Sequence, residues 1–167
     1  MGERLTKADV EKIKSEIEER KLVVRKKAIA DVQEARAHGD LSENFEYHAA
    51  KQFKNQNESR IRYLERMLKY AEIVDESSAV DEVGVNKTVT VHFIEDDEDE
   101  TYKIVTSIRG NSMKNLVSIE SPIGKALMGH KTGDIVKVFV NDNYSYELEI
   151  KAIENTGEDE SIEIKKF

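Results

Sequence analysis

The 167-residue sequence contains no cysteine, no tryptophan and a single proline, and it has no long apolar run. Without cysteine there can be no disulfide framework, no thiolate metal site and no cysteine nucleophile, so any chemistry must use carboxylates, histidines, hydroxyls or amines. No apolar stretch approaches the roughly 20 residues that a membrane-spanning helix needs, and the N-terminus has no signal-peptide pattern. We therefore expect a cytoplasmic protein that makes no membrane contact.

Charge is distributed unevenly along the chain. The formal net charge is -8, yet residues 1–76 contain 16 basic and 16 acidic side chains, so the whole negative excess follows residue 76. Residues 20–69 contain 12 basic and 7 acidic side chains, and three of these acids, Asp40, Glu43 and Glu46, fall within seven residues. The pattern indicates a basic helical stretch with a small acidic centre.

Two long helical patterns flank that acidic centre. Residues 7–37 contain no proline or glycine, and a second pattern runs from about residue 43 to residue 74. Gly39 and Asp40 interrupt the pattern, and a glycine after one helix with an aspartate opening the next predicts an αα-hairpin. The apolar residues that define the two patterns are Val10, Ile13, Ile17, Val24, Ala28, Val32 and Ala35, then Phe45, Ala49, Phe53, Ile61, Leu64, Leu68 and Ala71.

The two apolar stripes match if the chain folds back on itself. Facing residues of an antiparallel hairpin have numbers with a constant sum, and here the sum of 81 places the turn at residues 40 and 41. It predicts two helices of about 30 residues, roughly 45 Å long. Because the stripes satisfy each other within the hairpin, we expect a monomer rather than a coiled-coil dimer. The predicted pairs are Val10 with Ala71, Ile13 with Leu68, Ile17 with Leu64, Ala28 with Phe53, and Val32 with Ala49.

The remainder of the chain predicts a small β-rich domain with one helix. Alternating apolar residues predict strands at 89–93, 102–105, 115–119, 134–140 and 144–150, with a hairpin turn at 141–143. Ser121 and Pro122 predict the start of a helix that Gly129 ends. The fold class is therefore α+β, with a coiled-coil finger over 1–76, whose acidic tip is 39–46, and a globular domain over 77–167. The expected irregular segments are a linker at 76–84, a solvated acidic loop at 95–100 and a frayed acidic tail from residue 154.

The residues alone leave the role of the acidic centre open. Asp40 followed by Glu43 has the spacing of a helix capping box, and Ser42 competes for the same cap. His38 and His48 do not form a three-ligand zinc set, so we expect both to be solvated. The basic side chains of a long helix are commonly a solvated face with i,i+4 ion pairs.

Two segments closely resemble signatures of one family. "EARAHGDLSENFEYHAAK" at 34–51 resembles the tip signature of the bacterial Gre transcript cleavage factors, and "SPIGKALMGHKTGD" at 121–134 resembles a segment of their C-terminal domain. The resemblance covers nearly the whole chain. The length and the acidic balance of the chain are closer to those of GreA than to those of GreB. It implies a coiled-coil finger followed by an FKBP-like domain. Phe45 stands where the family more often has alanine.

The resemblance also implies a function. Gre factors insert the finger into the secondary channel of RNA polymerase and stimulate the polymerase's own cleavage of the 3′ end of backtracked RNA. The chain would then be an accessory factor rather than an enzyme, with RNA polymerase and the nascent RNA 3′ end as its partners. Two-metal cleavage needs a second divalent ion, and Mg²⁺ is often held by only one or two carboxylates. By resemblance Asp40 and Glu43 are the two catalytic acids, which hold Mg²⁺ jointly with the polymerase.

Further residues receive roles by the same resemblance. The resemblance implies that Ser42, Asn44, Glu46 and Tyr47 support the tip. It implies that Arg36 and Lys51 contact RNA or the polymerase. The residues that would dock on the polymerase are Ser121, Pro122, Gly124 and Lys125.

Other classes of function remain open from the sequence. A Gre-like regulator could occupy the secondary channel and inhibit the polymerase without cleavage. A prolyl isomerase or chaperone is suggested only by FKBP-like topology, and fold does not establish that function. The second half has few aromatic residues with which to line a proline pocket.

Overall fold

The computed structural model describes residues 2–39, 44–159 and 161–164, and the chain divides into two compact units. The first unit runs through Ile73 and the second begins at Val74. One is a helical hairpin and the other is built on a five-stranded sheet, so the predicted α+β class is confirmed. Across the described ranges, every helix is too short or too polar to cross a membrane.

The first unit is an antiparallel pair of helical arms. The first arm is α1 and α2 joined by a π-helical turn, and the second arm is the single helix α3. A two-residue parallel pairing of β1 with β2 joins the open end of the hairpin. The bounds are β1 Arg4–Leu5, α1 Lys7–Glu19, the π-helical turn Arg20–Val24, α2 Arg25–Ala37, α3 Phe45–Tyr70 and β2 Glu72–Ile73.

The π-helical turn keeps the buried stripe of the first arm in phase. A coiled-coil stripe alternates steps of three and four residues, but here three steps of four follow one another, from Arg20 through Val24 and Ala28 to Val32. The first arm therefore contains one residue more than the regular repeat needs, and the π-helical turn accommodates that extra residue. Ala28 and Val32 remain buried beyond the turn.

The second arm buries a different stripe near the turn from the one predicted. Ile61 and Leu64 are buried as expected, but Phe45 is 87% exposed and Phe53 is 49% exposed. Ala49 is exposed as well, so the predicted pairs Ala28 with Phe53 and Val32 with Ala49 are wrong. The first arm offers only small side chains here, and the ring of Tyr47 covers them instead. The buried positions of α3 are Tyr47, Asn57, Arg60, Ile61, Leu64 and Met67.

A five-stranded sheet forms the second unit. Its spatial order is β5-β4-β3-β7-β6, and the neighbours are antiparallel except β4 with β5. A short helix, α4, follows β5 and contacts β6. The bounds are β3 Thr88–Phe93, β4 Glu98–Val105, β5 Leu116–Ser118, α4 Pro122–Leu127, β6 Ile135–Asn141 and β7 Tyr144–Glu154, with 3-10 turns at Ser107–Arg109 and Ser112–Lys114.

One face of this sheet makes the core of the second unit. Alternate residues of β3, β6 and β7 point to that face, as period-two patterning requires. Leu127 of α4 covers them with no exposed surface. The predicted strands, the hairpin turn and the helix at Ser121 are all present. The core comprises Val83, Val85, Val89, Val91, Ile104, Ile119, Leu127, Val136, Val138, Leu148 and Ile150.

The segment predicted as a linker at 76–84 instead packs on the second unit. Val83 is buried, and its N–H donates to the carbonyl oxygen of His130 at 2.8 Å. The Lys87 ammonium is also buried and donates to the carbonyl oxygens of Ala79 and Glu82. The contact of Val83 with His130 joins residues 47 apart in sequence, which composition alone could not reveal.

The acidic loop and the tail also differ from expectation. Residues 98–100 belong to β4, so only the first part of the acidic run is a turn. The tail is not frayed over its described residues, because the Arg109 guanidinium donates to the carbonyl oxygens of Asp159 at 3.2 Å and Ile162 at 3.3 Å. Ile164 is buried.

Candidate functional site

The candidate site is the closed end of the helical hairpin. Three predicted tip residues, Asp40, Ser42 and Glu43, lie outside the described residues. The described chain ends on one side at Gly39, whose φ of +138° suits glycine, and resumes on the other at Asn44. Helix α3 begins at Phe45 with Asn44 as its N-cap, so the expectation that Asp40 opens the second helix is wrong.

Asn44 connects the two arms with both ends of its amide. Its Oδ1 accepts from the Tyr47 N–H at 3.0 Å, which satisfies one of the free donors at the start of α3. Its Nδ2 donates to the carbonyl oxygen of Ala35 at 2.7 Å, near the end of α2. One residue therefore caps one helix and attaches it to the other.

Tyr47 fills the space between the arms immediately below this cap. Its ring packs with Val32 and Ala35 of α2 and with Ala50 of α3. The Arg36 guanidinium lies 5.6 Å and the Lys51 ammonium 5.9 Å from the centre of the ring. A hydrogen bond from Arg36, together with the charge of Lys51, lowers the pKa of the Tyr47 phenol.

Tyr47 therefore brings together two predicted contact residues from different helices. Arg36 and Lys51 are both exposed, and neither forms an ion pair with another described residue. Sequence reasoning assigned Arg36 and Lys51 to opposite helices without finding that they share an aromatic ring. The sequence did contain a signal for this arrangement. Tyr47 lies four residues before Lys51, and a hairpin turn brings it close to Arg36.

Glu46 lies beside His38, which sequence reasoning assigned to solvent. His38 Nδ1 and Glu46 Oε2 are 2.9 Å apart, and both side chains are mostly exposed. The hydrogen bond and the negative charge of Glu46 raise the pKa of His38. His48 instead packs edge-on against the Tyr47 ring, with centroids 5.4 Å apart.

The end of the hairpin has an acidic side and a basic side. A groove of about 230 Å³ on the acidic side is lined by Asp31, Glu34, Ala35, His38, Glu46 and Ala50. No three of the His, Asp and Glu side chains in the described ranges are arranged to hold a metal ion.

Ion pairs engage much of the positive charge farther along the hairpin. Glu16 accepts from Arg20 at 2.7 Å and from Arg60 at 2.9 Å, and Arg25 makes a two-bond pair with Glu58. Lys21 pairs with Glu65 and Lys27 with Asp31. Only part of the shaft's charge is paired. Among the described residues Lys26, Lys54, Arg66 and Lys69 have no carboxylate partner, and the same holds for Arg36 and Lys51 beside Tyr47.

The four predicted docking residues lie around α4 in the second unit. Ser121 caps α4, because its Oγ accepts from the Gly124 N–H at 3.1 Å and donates to the Ser118 carbonyl oxygen at 2.6 Å. Gly124 is buried, and a Cβ there would lie 2.0 Å from that same oxygen. Pro122 and Lys125 are exposed. Ser121 and Gly124 thus hold the helix on the sheet, while Pro122 and Lys125 offer surface.

A helical hairpin followed by a small β-rich domain is the architecture of a class of transcription elongation factor. Residues 3–73 match the family model for the N-terminal domain of these factors, and residues 77–155 match the model for the GreA/GreB C-terminal domain. The chain belongs to the GreA/GreB family of transcription elongation factors.

Two sequence relatives named GreA agree with this assignment. The chain is 45% identical over 153 residues to transcription elongation factor GreA of Streptococcus gordonii, covering 91% of this chain and 95% of that protein. It is 44% identical over 154 residues to GreA of Streptococcus pneumoniae serotype 19F, covering 92% and 96%. Among solved structures, GreA factor homolog 1 of Thermus thermophilus is 28% identical, with 92% and 99% coverage and a TM-score of 0.43.

Proposed function

We propose that this protein binds RNA polymerase through its secondary channel and stimulates the polymerase's own cleavage of the 3′ end of backtracked RNA. Membership of the GreA/GreB family over both halves of the chain supports this proposal. So do the relatives named transcription elongation factor GreA. The protein would rescue arrested elongation complexes as an accessory factor, acting in the cytoplasm as a monomer.

The observation that carries the proposal is the closure of the hairpin at Asn44. Its two hydrogen bonds tie the arms together immediately before α3. Asp40 and Glu43 belong to the four residues that join Gly39 to Asn44. Because Asn44 supplies the N-cap of α3, neither Asp40 nor Glu43 is that N-cap.

Two carboxylates fit Mg²⁺ in the type of donor but not in number. Mg²⁺ prefers oxygen ligands in octahedral geometry and keeps water or phosphate in the positions that the protein leaves. In the proposed complex Asp40 and Glu43 would hold Mg²⁺ together with carboxylates of the polymerase. When bound there, the ion supplies an activated water and stabilises charge on the phosphate.

The other residues of the site would position these acids and the RNA. Asn44 and Tyr47 hold the ends of the two arms at fixed separation, so the turn between them starts from a defined base. Arg36 and Lys51 are cations exposed beside Tyr47. They would pair with phosphates of the RNA 3′ segment. Pro122 and Lys125 would contact the polymerase from the second unit.

The deciding experiment uses purified, backtracked elongation complexes with Mg²⁺. We expect the wild-type protein to release 3′ RNA fragments and the Asp40→Asn, Glu43→Gln double variant to release none. The double variant should still compete with wild type for the polymerase. Binding by the wild type without stimulated cleavage would reject the proposal and move the protein to the class of channel-occupying inhibitors.

A further inference from the structure

A buried polar network joins the two arms of the hairpin at the π-helical turn. Asn57 of α3 is only 3% exposed, and its Oδ1 accepts from the Arg20 guanidinium at 3.0 Å. Its Nδ2 donates to the carbonyl oxygen of Arg20 at 3.3 Å. The Glu16 carboxylate connects that guanidinium to Arg60 of α3, which is buried as well. One asparagine of the second arm therefore holds both the side chain and the backbone of the residue at which the turn begins.

The Arg20 carbonyl oxygen also takes part in the π-helical turn itself. It accepts from the N–H of Arg25, five residues ahead, whereas a regular α-helix would use the N–H of Val24. A carbonyl oxygen has two lone pairs, so it accepts from Arg25 and from Asn57 together. The bond from Asn57 therefore acts directly on the turn.

Apolar burial alone holds the turn weakly. The turn accommodates one extra residue and keeps Ala28, Val32 and Ala35 buried, but these side chains are small. Small side chains gain little free energy from burial, because they remove little apolar surface from water. A buried asparagine can fix one arrangement of paired helices, because its hydrogen bonds are met in that arrangement only. Asn57 supplies this additional hold on the turn.

The turn determines how α2 is placed beside α3. A π-helical turn takes up an extra residue with little added length, whereas a regular α-helix adds about 1.5 Å and about 100° of rotation for each residue. Loss of the turn would therefore shift α2 along its axis and rotate it. The bond from Asn44 to the Ala35 carbonyl oxygen, at 2.7 Å, depends on that placement. Ala35 precedes Asp40 by five residues, so the same placement sets how the chain leaves α2 toward the two acids.

We propose that Asn57 is a positioning residue for the closed end of the hairpin. Its bonds to Arg20 hold the π-helical turn, and the turn holds α2 in the stagger and rotation that the bond from Asn44 requires. Asn57 follows Asn44 by 13 residues, about 20 Å along α3, so it acts on the closed end from a distance. The inference rests on the proposed function only in naming RNA cleavage as the activity that the closed end serves.

Spin labels measure the placement of α2. The chain has no cysteine, so Ala30→Cys and Arg66→Cys place labels at two exposed positions, one on each arm. Double electron–electron resonance should give one narrow distance. Asn57→Leu removes both bonds at similar side-chain volume and should add a second distance that differs by about 5–8 Å, as expected for rotation of a helix about 10 Å wide. Asn55→Leu, at an exposed position of the same helix, is the matched control and should leave the single distance unchanged.

RNA cleavage in backtracked complexes with Mg²⁺ gives the second readout. With Asn57→Leu the cleavage rate at saturating protein should fall by about 5- to 100-fold, because a misplaced closed end binds without acting. The protein concentration for half-maximal cleavage should stay unchanged. A rise in that concentration with no change in the maximal rate would overturn the inference, because Asn57 would then serve binding rather than positioning.

Deletion of Leu22 separates positioning from general stability. Leu22 is 54% exposed within the turn, and its deletion removes the extra residue. The first arm would then keep its stripe in phase as a regular α-helix, and Asn57 would have no π-helical turn to hold. In this background Asn57→Leu should change neither the distance nor the cleavage rate.

Two further results would overturn the inference. One is a single, unchanged distance in Asn57→Leu with Leu22 present. The other is an equal loss of cleavage from Asn57→Leu with and without Leu22. A wild type that stimulates no cleavage would reject the proposed function, and the spin-label distances would still decide whether Asn57 holds the turn.

Discussion

The Asn44 side chain donates a hydrogen bond from Nδ2 to the carbonyl oxygen of Ala35 at 2.7 Å, across the closed end of the hairpin. Its Oδ1 at the same time accepts from the first turn of α3. The Ala35 carbonyl also accepts from the His38 N–H at 3.2 Å, so Asn44 is its second donor. The start of α3 gains a partner for one of its free N–H groups.

Asn44→Ala should loosen the hairpin end. Loss of an N-cap costs about 1 kcal/mol, and the Ala35 carbonyl loses one of its two donors, keeping the His38 N–H. We expect faster amide exchange at Tyr47 and weaker stimulation of RNA cleavage. Asn44→Asp is the matched control, because it keeps the capping oxygen but cannot donate to Ala35. If Asn44→Asp behaves like the wild type, the bond to Ala35 contributes nothing.

The pair of His38 and Glu46 should make the hairpin end sensitive to pH. The Glu46 hydrogen bond raises the pKa of His38 above its ordinary value of 6.5. Stabilisation from the pair is therefore fully present below pH 6.5 and is lost as the pH rises through the higher pKa of the folded state.

NMR titration of the His38 ring measures this directly. Glu46→Gln should return the pKa of His38 toward its ordinary value. Glu34→Gln serves as the control, because Glu34 acts on His38 only through its charge and should have a smaller effect. A His38 that titrates at the same pH in wild type and in Glu46→Gln would show that the pair does not persist in solution.

Local sequence patterns were sufficient for the elements of this fold. The two helical arms, the strands of the sheet and the start of α4 at Ser121 follow from periodicity, glycine and caps, which act over a few residues. Asn44 could also have been recognised as a cap, because an asparagine directly precedes an apolar periodic run. Asp40 and Ser42 are equally suitable N-cap residues. Residue type alone therefore could not decide which of the three residues caps α3.

Contacts between distant residues account for what the sequence missed. A stripe at Phe45, Ala49 and Phe53 is as periodic as the buried one at Tyr47, Ala50 and Asn57. Only the packing of Tyr47 against α2 decides which stripe is buried. The fixed tail depends on Arg109, about 50 residues away in sequence.

Glu16→Gln should destabilise the hairpin. The Glu16 carboxylate accepts hydrogen bonds from Arg20 and from Arg60, and Arg60 is only 7% exposed. Loss of the charge leaves a buried guanidinium poorly compensated, at a cost of about 1–3 kcal/mol. Urea denaturation followed by helical circular dichroism measures this loss. The control is Glu58→Gln, which breaks the more exposed pair with Arg25 and should cost less than about 1 kcal/mol.

Lowering the pH should destabilise the hairpin, as Glu16→Gln does. Burial opposes ionisation of Glu16, but the hydrogen bonds and charges of Arg60 and Arg20 outweigh it and lower the pKa of the carboxyl below its ordinary value of 4.5. The stabilisation is therefore complete above pH 4.5 and is lost as the pH falls through the lower pKa of the folded state. The Glu16→Gln variant should not show this loss of stability at low pH. If wild type and Glu16→Gln lose equal stability as the pH falls, the prediction is wrong.

Gly124→Ala should disturb α4 without touching the hairpin. The new Cβ would lie 2.0 Å from the Ser118 carbonyl oxygen, a separation that no real pair of atoms maintains, so α4 must move away from β5. We expect the second unit to lose about 1–3 kcal/mol of stability. Gly110→Ala is the matched control, because its nearest neighbours are 3.6 Å away and its φ of -63° suits alanine.

Lys125→Ala then separates the stability of α4 from its surface. Lys125 is exposed on α4, so its removal should leave the melting temperature within about 1 °C of wild type. If α4 docks on the polymerase, Lys125→Ala should weaken polymerase binding as its sole effect, whereas Gly124→Ala should weaken binding and stability together. Unchanged binding in both variants would show that docking uses another surface, because neither the cation nor the position of the helix would then matter.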